Sequence, residues 1–367
     1  MGICFHLPTP LHDSVMLNCA LIGCGRVAPR HAESITELSG LRLAAVVDAV
    51  ESRAQHFAGK YESTAYTDYR DVLDQKDIDL VTIATPSGMH AQMAVDAMEA
   101  GKHVLVEKPI ALTLADADRM IATSERTGLL LGVVHQNRFN PPMIELRRLV
   151  DSGGLGKILL GSATVRWYRP QEYYEDGWHG TIAMDGGALM NQSIHHIDAL
   201  QWLMGGEIDS IFAFTGTLAH RMEAEDTGVG VLRFRGGALG SIEGSTITYP
   251  ENLEGSVALF GERGSVKVGG TALNAKEFWK VTGEIEHERE MLTTERVNPP
   301  SVYGFSHKKV ISLMGQAITD GAGVPTSAVE ARKPLAVVLA MYEASRTGMA
   351  VDMSRFPWTT SGAANAR

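Results

Sequence analysis

LNCALIGCGRVAPRHAESITEL, residues 17–38, reads as an apolar run, a glycine turn and an amphipathic helix in direct succession. Leu17–Ile22 is too short for a buried helix and apolar enough for a strand covered on both faces. The turn Gly23-Cys24-Gly25-Arg26-Val27-Ala28 has the spacing G-x-G-x-x-A. In that pattern the first glycine permits a tight turn, the second lets a pyrophosphate approach the backbone, and a small third residue allows close helix–strand packing. The anion rests on N–H groups at the helix N-terminus, where Arg26 and Val27 stand. Asp48 ends the next apolar run, LRLAAVVDA, at the distance from Gly25 that this motif calls for. An acid there receives the ribose hydroxyls of an adenosine, and its charge repels a 2′-phosphate. NAD is therefore the expected cofactor, with NADP disfavoured by Asp48.

Working outward, the same alternation continues to Val134. Apolar runs DLVTIATP, KHVLVEKP and LLLGVVHQ are separated by the helical patterns MHAQMAVDAMEAG and LADADRMIATSERTG. Such an order predicts βαβ units and a doubly wound parallel sheet. After Asn140-Pro141-Pro142 the character changes. Beyond a helix, MIELRRLVDSG, come KILLGSATVRWY, EIDSIFAFTGTLAH, TGVGVLRFRGGALGSIEGSTITY and EGSVALFGERGSVKVGG, alternating with period two between glycine turns. They predict a large, mainly antiparallel open sheet in an α+β domain, with one face solvated or at an interface. Two helices, SHKKVISLMGQAI and ARKPLAVVLAMYEASRTG, close the pattern. The expected division is 1–16 as a disordered N-terminal extension, 17–137 as the dinucleotide domain, 138–355 as the substrate and oligomerisation domain, and 356–367 as a flexible tail.

At 367 residues the chain can build two cores, and 44% hydrophobic with 21% charged residues is a globular composition. A net charge of −10 argues against nucleic acid or an anionic membrane as partner. No apolar run approaches the ~20 residues that span a bilayer. The three cysteines, Cys4, Cys19 and Cys24, crowd the start of the chain, which suits neither a disulfide framework nor a zinc site. A reducing, cytoplasmic setting and no metal are expected.

Three further stretches carry chemistry. TPSGMH, residues 85–90, follows a strand, so Thr85, Pro86 and His90 are expected either to line the cofactor crevice or simply to start a helix. HVLVEKP, residues 103–109, ends a buried strand with Glu107-Lys108-Pro109. The proline restricts the backbone of Lys108 and so directs its side chain, which can donate to a substrate hydroxyl or a developing alkoxide. GGALMNQSIHHID, residues 186–198, reads as a helix in which Met190, Ile194, Ile197, Leu200 and Met204 form an apolar face. On a helical wheel Asn191, His195, Asp198 and Trp202 share a separate stripe about 60° wide, either a solvated face or a set of groups aimed at a ligand. His196 lies round the helix from His195 and reads as structural and hydrogen-bonded; adjacent positions do not face one another, so the pair is no metal site.

Together GCGRVA, VVDA, ATPSGMH, VEKP and GGALMNQSIHHID resemble the glucose–fructose oxidoreductase/inositol dehydrogenase (Gfo/Idh/MocA) family, over nearly all of residues 17–351. The resemblance implies a Rossmann domain followed by an α+β domain whose open sheet serves in oligomerisation, giving a homodimer or homotetramer. It also implies oxidation or reduction of a sugar or cyclitol hydroxyl by a nicotinamide cofactor bound by Gly23, Gly25, Arg26, Val27, Asp48, Thr85, Pro86, His90, Glu107 and Lys108. The family's catalytic lysine falls on Lys108 and its catalytic histidine on His195, with substrate held between the domains.

Inositol dehydrogenase-like members carry an aspartate four residues before that histidine, where this chain has Asn191. Asparagine can orient His195 or the sugar but offers no charge to an imidazolium. That leaves the basicity of His195 to Lys108, Asp198 and the ligand. The resemblance then points to a nucleotide-linked sugar, whose enzymes carry asparagine there. NRFNPP, VRWYRPQEYYEDGWHGT, EAEDTG and VYGFSH resemble the branch acting on the C3 hydroxyl of UDP-N-acetylglucosamine. In this reading Arg166, Arg169 and His179 meet phosphates, and Tyr168, Tyr173, Trp178 and Tyr303 meet base or sugar. Relatives have W-R-G-T where this chain has Trp178-His179-Gly180-Thr181. A free cyclitol or aldose as substrate, and a non-catalytic NAD-binding sugar sensor, remain as alternatives.

Overall fold

The computed structural model describes residues 16–283 and 306–357. Residues 1–15 of the expected extension 1–16, with Cys4, the candidate Tyr303 and most of the expected tail lie outside the described residues. Packing divides the chain into two units.

The first holds six parallel strands, β1 (Leu17–Ile22), β2 (Leu41–Val47), β3 (Thr64–Tyr66), β4 (Leu80–Ile83), β5 (His103–Glu107) and β6 (Leu131–Val134), in the order β3-β2-β1-β4-β5-β6. They alternate with helices α1 (Ala28–Glu37), α2 (Glu51–Tyr61), α3 (Tyr69–Leu73), α4 (His90–Glu99) and α5 (Leu114–Thr127). Cys19, Ala20, Leu21, Leu80, Val81, Val104 and Leu105 are fully buried, as strands covered on both faces must be. The strand order reverses between β1 and β4, so the turns at 23–28 and 85–90 open together at the carboxyl edge where such sheets bind ligands. Strand β3 is too short for its sequence to show a period.

The second unit is built on eight strands: β7 (Ile158–Arg166), β8 (Ile208–Gly216), β9 (Thr227–Phe234), β10 (Leu239–Ser245), β11 (Glu254–Gly261), β12 (Gly264–Gly269), β13 (Ala275–Val281) and β14 (Val351–Asp352). Their order is β13-β12-β11-β7-β10-β9-β8-β14, and only the β7–β10 pairing is parallel. Helix α6 (Pro141–Asp151) precedes the sheet, and α7 (Ile194–Met204) packs on β7 and β11. Gly161 permits that approach, since a Cβ there would lie 2.7 Å from Met204 Sδ and 2.8 Å from Leu200. The other face of the sheet stays open, with Leu160, Phe214, Val229, Val231, Leu239, Phe260 and Phe278 exposed by 39–66%.

The two units are not contiguous along the chain. Residues 306–328, with α8 (His307–Asp320), belong to the first unit, where α8 packs on α1, β5 and β6 and Val133 donates to the Thr326 carbonyl. Residues 111–114 belong to the second unit, as does nearly all of α9 (Ala328–Thr347), whose Leu335–Val338 core is fully buried. A linear sequence reading takes domains as contiguous; here amphipathic α8 finds its apolar partner in the first unit instead. Among the described residues no helix is long and apolar enough to cross a membrane.

Candidate active site

In the first unit, the glycine turn behaves as its spacing requires. Gly23 has φ +96°, and a Cβ there would lie 2.6 Å from the Ala84 carbonyl oxygen, so only glycine fits. Gly25 is exposed with nothing within 4 Å of a Cβ position. Helix α1 then starts with no side-chain cap and no acid in its first turn, leaving its N–H groups to an anion. Asp48 accepts the Cys24 N–H at 2.9 Å on one oxygen and the Val50 N–H at 2.9 Å on the other, which fixes the carboxylate beside the turn. These features fit the diphosphate and ribose of a dinucleotide. Cys19 and Cys24 are buried with free thiols pushed up to about 12 by that burial, too high to be nucleophiles.

Thr85 and Pro86 are half-buried at the same edge, but His90 is 1% exposed. Its Nδ1 lies 2.8 Å from the Pro109 carbonyl and its Nε2 3.0 Å from the Thr85 carbonyl. Burial keeps His90 neutral, so it donates to one of these two carbonyls while lying buried between the two loops. Glu107 is likewise turned inward, 6% exposed, while Lys108 is half-buried and joined to Pro109 by a cis peptide.

In the second unit, the helix expected from about Met190 starts only at Ile194. Gly186 has φ +81°, and a Cβ on Gly187 would fall 1.9 Å from Glu225 Oε2, so the segment folds as tight turns against Glu225. Ala188 and Leu189 donate to the Glu225 carbonyl and carboxylate at 2.9 and 2.8 Å. Asn191 therefore sits in the turn before α7, and its amide donates to Asp185 at 2.6 Å. Asp185, 1% exposed, also accepts the Gly180 N–H at 2.8 Å.

Residues 194–201 of α7 are buried on every side, so the contrast between an apolar and a polar face does not hold. The polar stripe has internal partners instead. Asp198, 1% exposed, accepts from Arg138 Nε at 2.8 Å and Nη2 at 2.7 Å. Burial alone would raise its carboxyl; Arg138 and His135 outweigh it and hold the group below its usual value. Arg138 continues to Glu330 at 3.1 Å and lies over the Trp202 ring. His135 Nδ1 is 3.5 Å from Asp198, and its ring meets the His195 ring edge-on at 5.7 Å. His135 thus stands between Asp198 and the His195 ring. His196 packs edge-on against Trp167 and is pushed down to about 4 by burial, so it stays neutral and structural.

Of the expected phosphate contacts, Arg166 is corrected. It points from β7 to the open face of the sheet, opposite α7, with Glu243 at 2.6 Å and Glu254 at 3.0 Å on its guanidinium. Strand alternation decides the side, and two carboxylates neutralise the charge a phosphate would need. His179 is buried between Tyr173 and Trp178, ring centroids 4.1 and 3.6 Å away, with Asp176 at 2.5 Å on Nδ1. An acid-paired imidazole inside a ring stack makes it part of an aromatic platform rather than a phosphate ligand. Arg169 lies over the Trp167 and Tyr173 rings. Trp178 is half-buried, and Tyr168 meets Tyr249 edge-on. Gln192 Nε2, next to Asn191, is 3.4 Å from Tyr173 Oη, which brings the platform beside the turn before α7.

Residues 17–135 match the oxidoreductase family with NAD-binding Rossmann fold, and residues 143–267 match the GFO/IDH/MocA C-terminal domain. The chain belongs to the Gfo/Idh/MocA family of oxidoreductases. It is an NAD-dependent dehydrogenase of the kind whose members act on sugars and polyols. A solved structure of the WlbA dehydrogenase from Bordetella pertussis, in complex with NADH and UDP-GlcNAcA, is 35% identical, with TM-score 0.86 over 94% of this chain and 99% of that one. The myo-inositol 2-dehydrogenase of Thermotoga maritima is 29% identical over 68% of this chain and 74% of its own length. The NAD-specific scyllo-inositol 2-dehydrogenase of Bacillus subtilis is 29% identical over 69% of this chain and 74% of its own length.

Sequence reasoning missed His31, His135, Arg138, Asp185, Glu225 and His307 as parts of these sites. NRFNPP and VYGFSH stand out as motifs, but nothing in their spacing names partners so far away along the chain.

Proposed function

We propose that the chain oxidises a secondary hydroxyl of a nucleotide-linked sugar to a ketone, at C3 of a UDP-N-acetylhexosamine-type substrate, and runs the reverse reaction when NADH is in excess. The observation that carries this is the 35% identity to the B. pertussis enzyme over 94% of the chain, an extent the inositol dehydrogenases do not reach. NAD, held by the turn at 23–28 and by Asp48, would supply the hydride acceptor for the carbinol carbon. His195 takes the hydroxyl proton as the hydride leaves, and Lys108 donates to the same oxygen. Asn191, neutral and held by Asp185, meets a sugar hydroxyl. Tyr168 and Trp178 offer ring faces to base or sugar. The apolar open face of the sheet seats a second copy of the chain.

The test mixes the protein and NAD with UDP-N-acetylglucosamine, its uronic acid, inositols and free hexoses, and follows nicotinamide reduction. Turnover of a UDP-sugar is expected; turnover of unphosphorylated cyclitols alone overturns the nucleotide-sugar reading. Tight NAD binding without reduction by any of them would favour the sensor. Lys108→Met and His195→Ala are each expected to lower kcat by about 10²- to 10⁴-fold, the usual range for a lost general acid or base. Near-normal turnover in both would remove these residues from the mechanism.

A further inference from the structure

Lys108 stands between two residues that are each tied down by buried imidazoles. On one side, the Glu107 carboxylate receives His31 Nε2, from α1, at 2.9 Å, and His307 Nε2, from the first turn of α8, lies 3.4 Å from the same oxygen. The other carboxylate oxygen accepts the backbone N–H of Lys108 itself at 3.2 Å. On the other side, the carbonyl of Pro109 is held by His90 Nδ1 at 2.8 Å. His31, His90 and His307 are 0, 1 and 3% exposed. Burial alone would raise the Glu107 carboxyl, but hydrogen bonds from His307 and His31 outweigh it and hold the group well below its usual value. A buried carboxylate is tolerated only when its oxygens are satisfied, and here both are.

We propose that His31, His307, Glu107 and His90 form a clamp that aims the Lys108 side chain, acting as positioning residues through the backbone on either side of it. The clamp rests on the reading of Lys108 as the group that meets the substrate oxygen. A lysine side chain has many rotamers, so its flexible stem finds one direction only if its Cα is fixed in place and orientation. One tie would leave the residue a hinge; ties at 107, at the 108 N–H and at 109 remove it. The elements that converge are the helix of the dinucleotide turn, the strand bearing the lysine, the helix after TPSG and α8, which returns from the far side of the second unit's sequence. The dinucleotide turn and the lysine are thereby set in one frame.

His31, Glu107 and His307 also bring three potential ligand atoms within 4.8 Å, a donor set that a transition metal accepts. The His31–Glu107 separation of 2.9 Å argues for a shared proton. Two ligands at about 2.1 Å from a tetrahedral ion would sit roughly 3.4 Å apart.

The test needs no substrate. Lysines of the full-length protein are reductively methylated with ¹³C-formaldehyde, and the Lys108 resonance is assigned by its loss in Lys108→Arg. In His307→Leu and His90→Leu that resonance is expected to move towards the position of a solvated lysine. His307→Gln, which keeps a donor near the Nε2 position, is expected to restore it. NAD affinity of His307→Leu and His307→Gln should stay within about two-fold. If a leucine variant fails to fold, Glu107→Gln supplies the same readout. A Lys108 resonance unchanged across these variants overturns the clamp. So does stoichiometric Zn²⁺ binding by the unaltered protein that is lost in His31→Leu. Normal turnover of Lys108→Met would instead retire the catalytic reading of the lysine, while the resonance shifts would still decide for or against the clamp.

Discussion

Glu225 and Asp185 place two carboxyls behind the turn that carries Asn191. Glu225 is buried against that turn and pushed up to about 7 by burial, opposed by hydrogen bonds from Leu189 and Tyr342. A carboxyl raised in the folded state binds more protons than in the unfolded chain between its two values. Stability is therefore full below about 4.5 and falls as pH rises towards 7, by about 3 kcal/mol in total. Glu225→Gln keeps an acceptor for Leu189 and should flatten that slope; urea unfolding at pH 5 and pH 8 measures it, and an unchanged slope counts against the assignment. Asp48 supports a second prediction at this scale. Asp48→Ser removes the negative charge that repels a 2′-phosphate while keeping an acceptor for the turn, so kcat/KM for NADP relative to NAD should rise at least about tenfold, or about 1.4 kcal/mol.

At the scale of elements, α7 is the informative case. Its apolar spacing announces a helix, and its polar residues suggest a second face; the structure buries both. Asp198→Asn leaves buried Arg138 with Glu330 as its one carboxylate partner among the described residues, a loss expected near the lower end of about 3–5 kcal/mol and visible as a lower urea midpoint. The sequence could not show this, because Arg138 is distant from Asp198 along the chain and stands in a short 3₁₀ segment with no period of its own. The Rossmann strands are legible for the opposite reason. The inner strands, covered on both faces, are mostly apolar, and helical patterns separate them. The glycine turn and the lysine strand are legible because their chemistry is local in sequence. Arg166 misleads because a strand's alternation tells which residues share a face, not which face is covered. The helix start at 186–193 misleads because Gly186 and Gly187 answer to Glu225, which belongs to a later stretch of the chain beyond α7 and β8.

For the whole molecule, the open sheet face is the feature with the most surface at stake. Val231→Lys with Phe214→Lys places two charges among its exposed apolar side chains, over half of each of which is solvent-accessible in the single chain. If that face seats a second copy, the pair should convert the oligomer to monomer in sedimentation velocity without loss of fold; an unchanged mass would move the interface elsewhere.

The chain's path also bears on how relatives can be recombined. The first unit is completed by residues 306–328, and the Glu107 carboxylate lies between His31 and His307. A chimera made by one crossover near residue 137 would inherit Glu107 and His31 from one parent and α8 from the other. Donor and acceptor would then be mismatched beneath the lysine wherever the second parent lacks a histidine there. A hybrid that keeps the first unit whole therefore takes residues 306–328 from the same parent as His31 and Glu107, with crossovers near 134, 306 and 328.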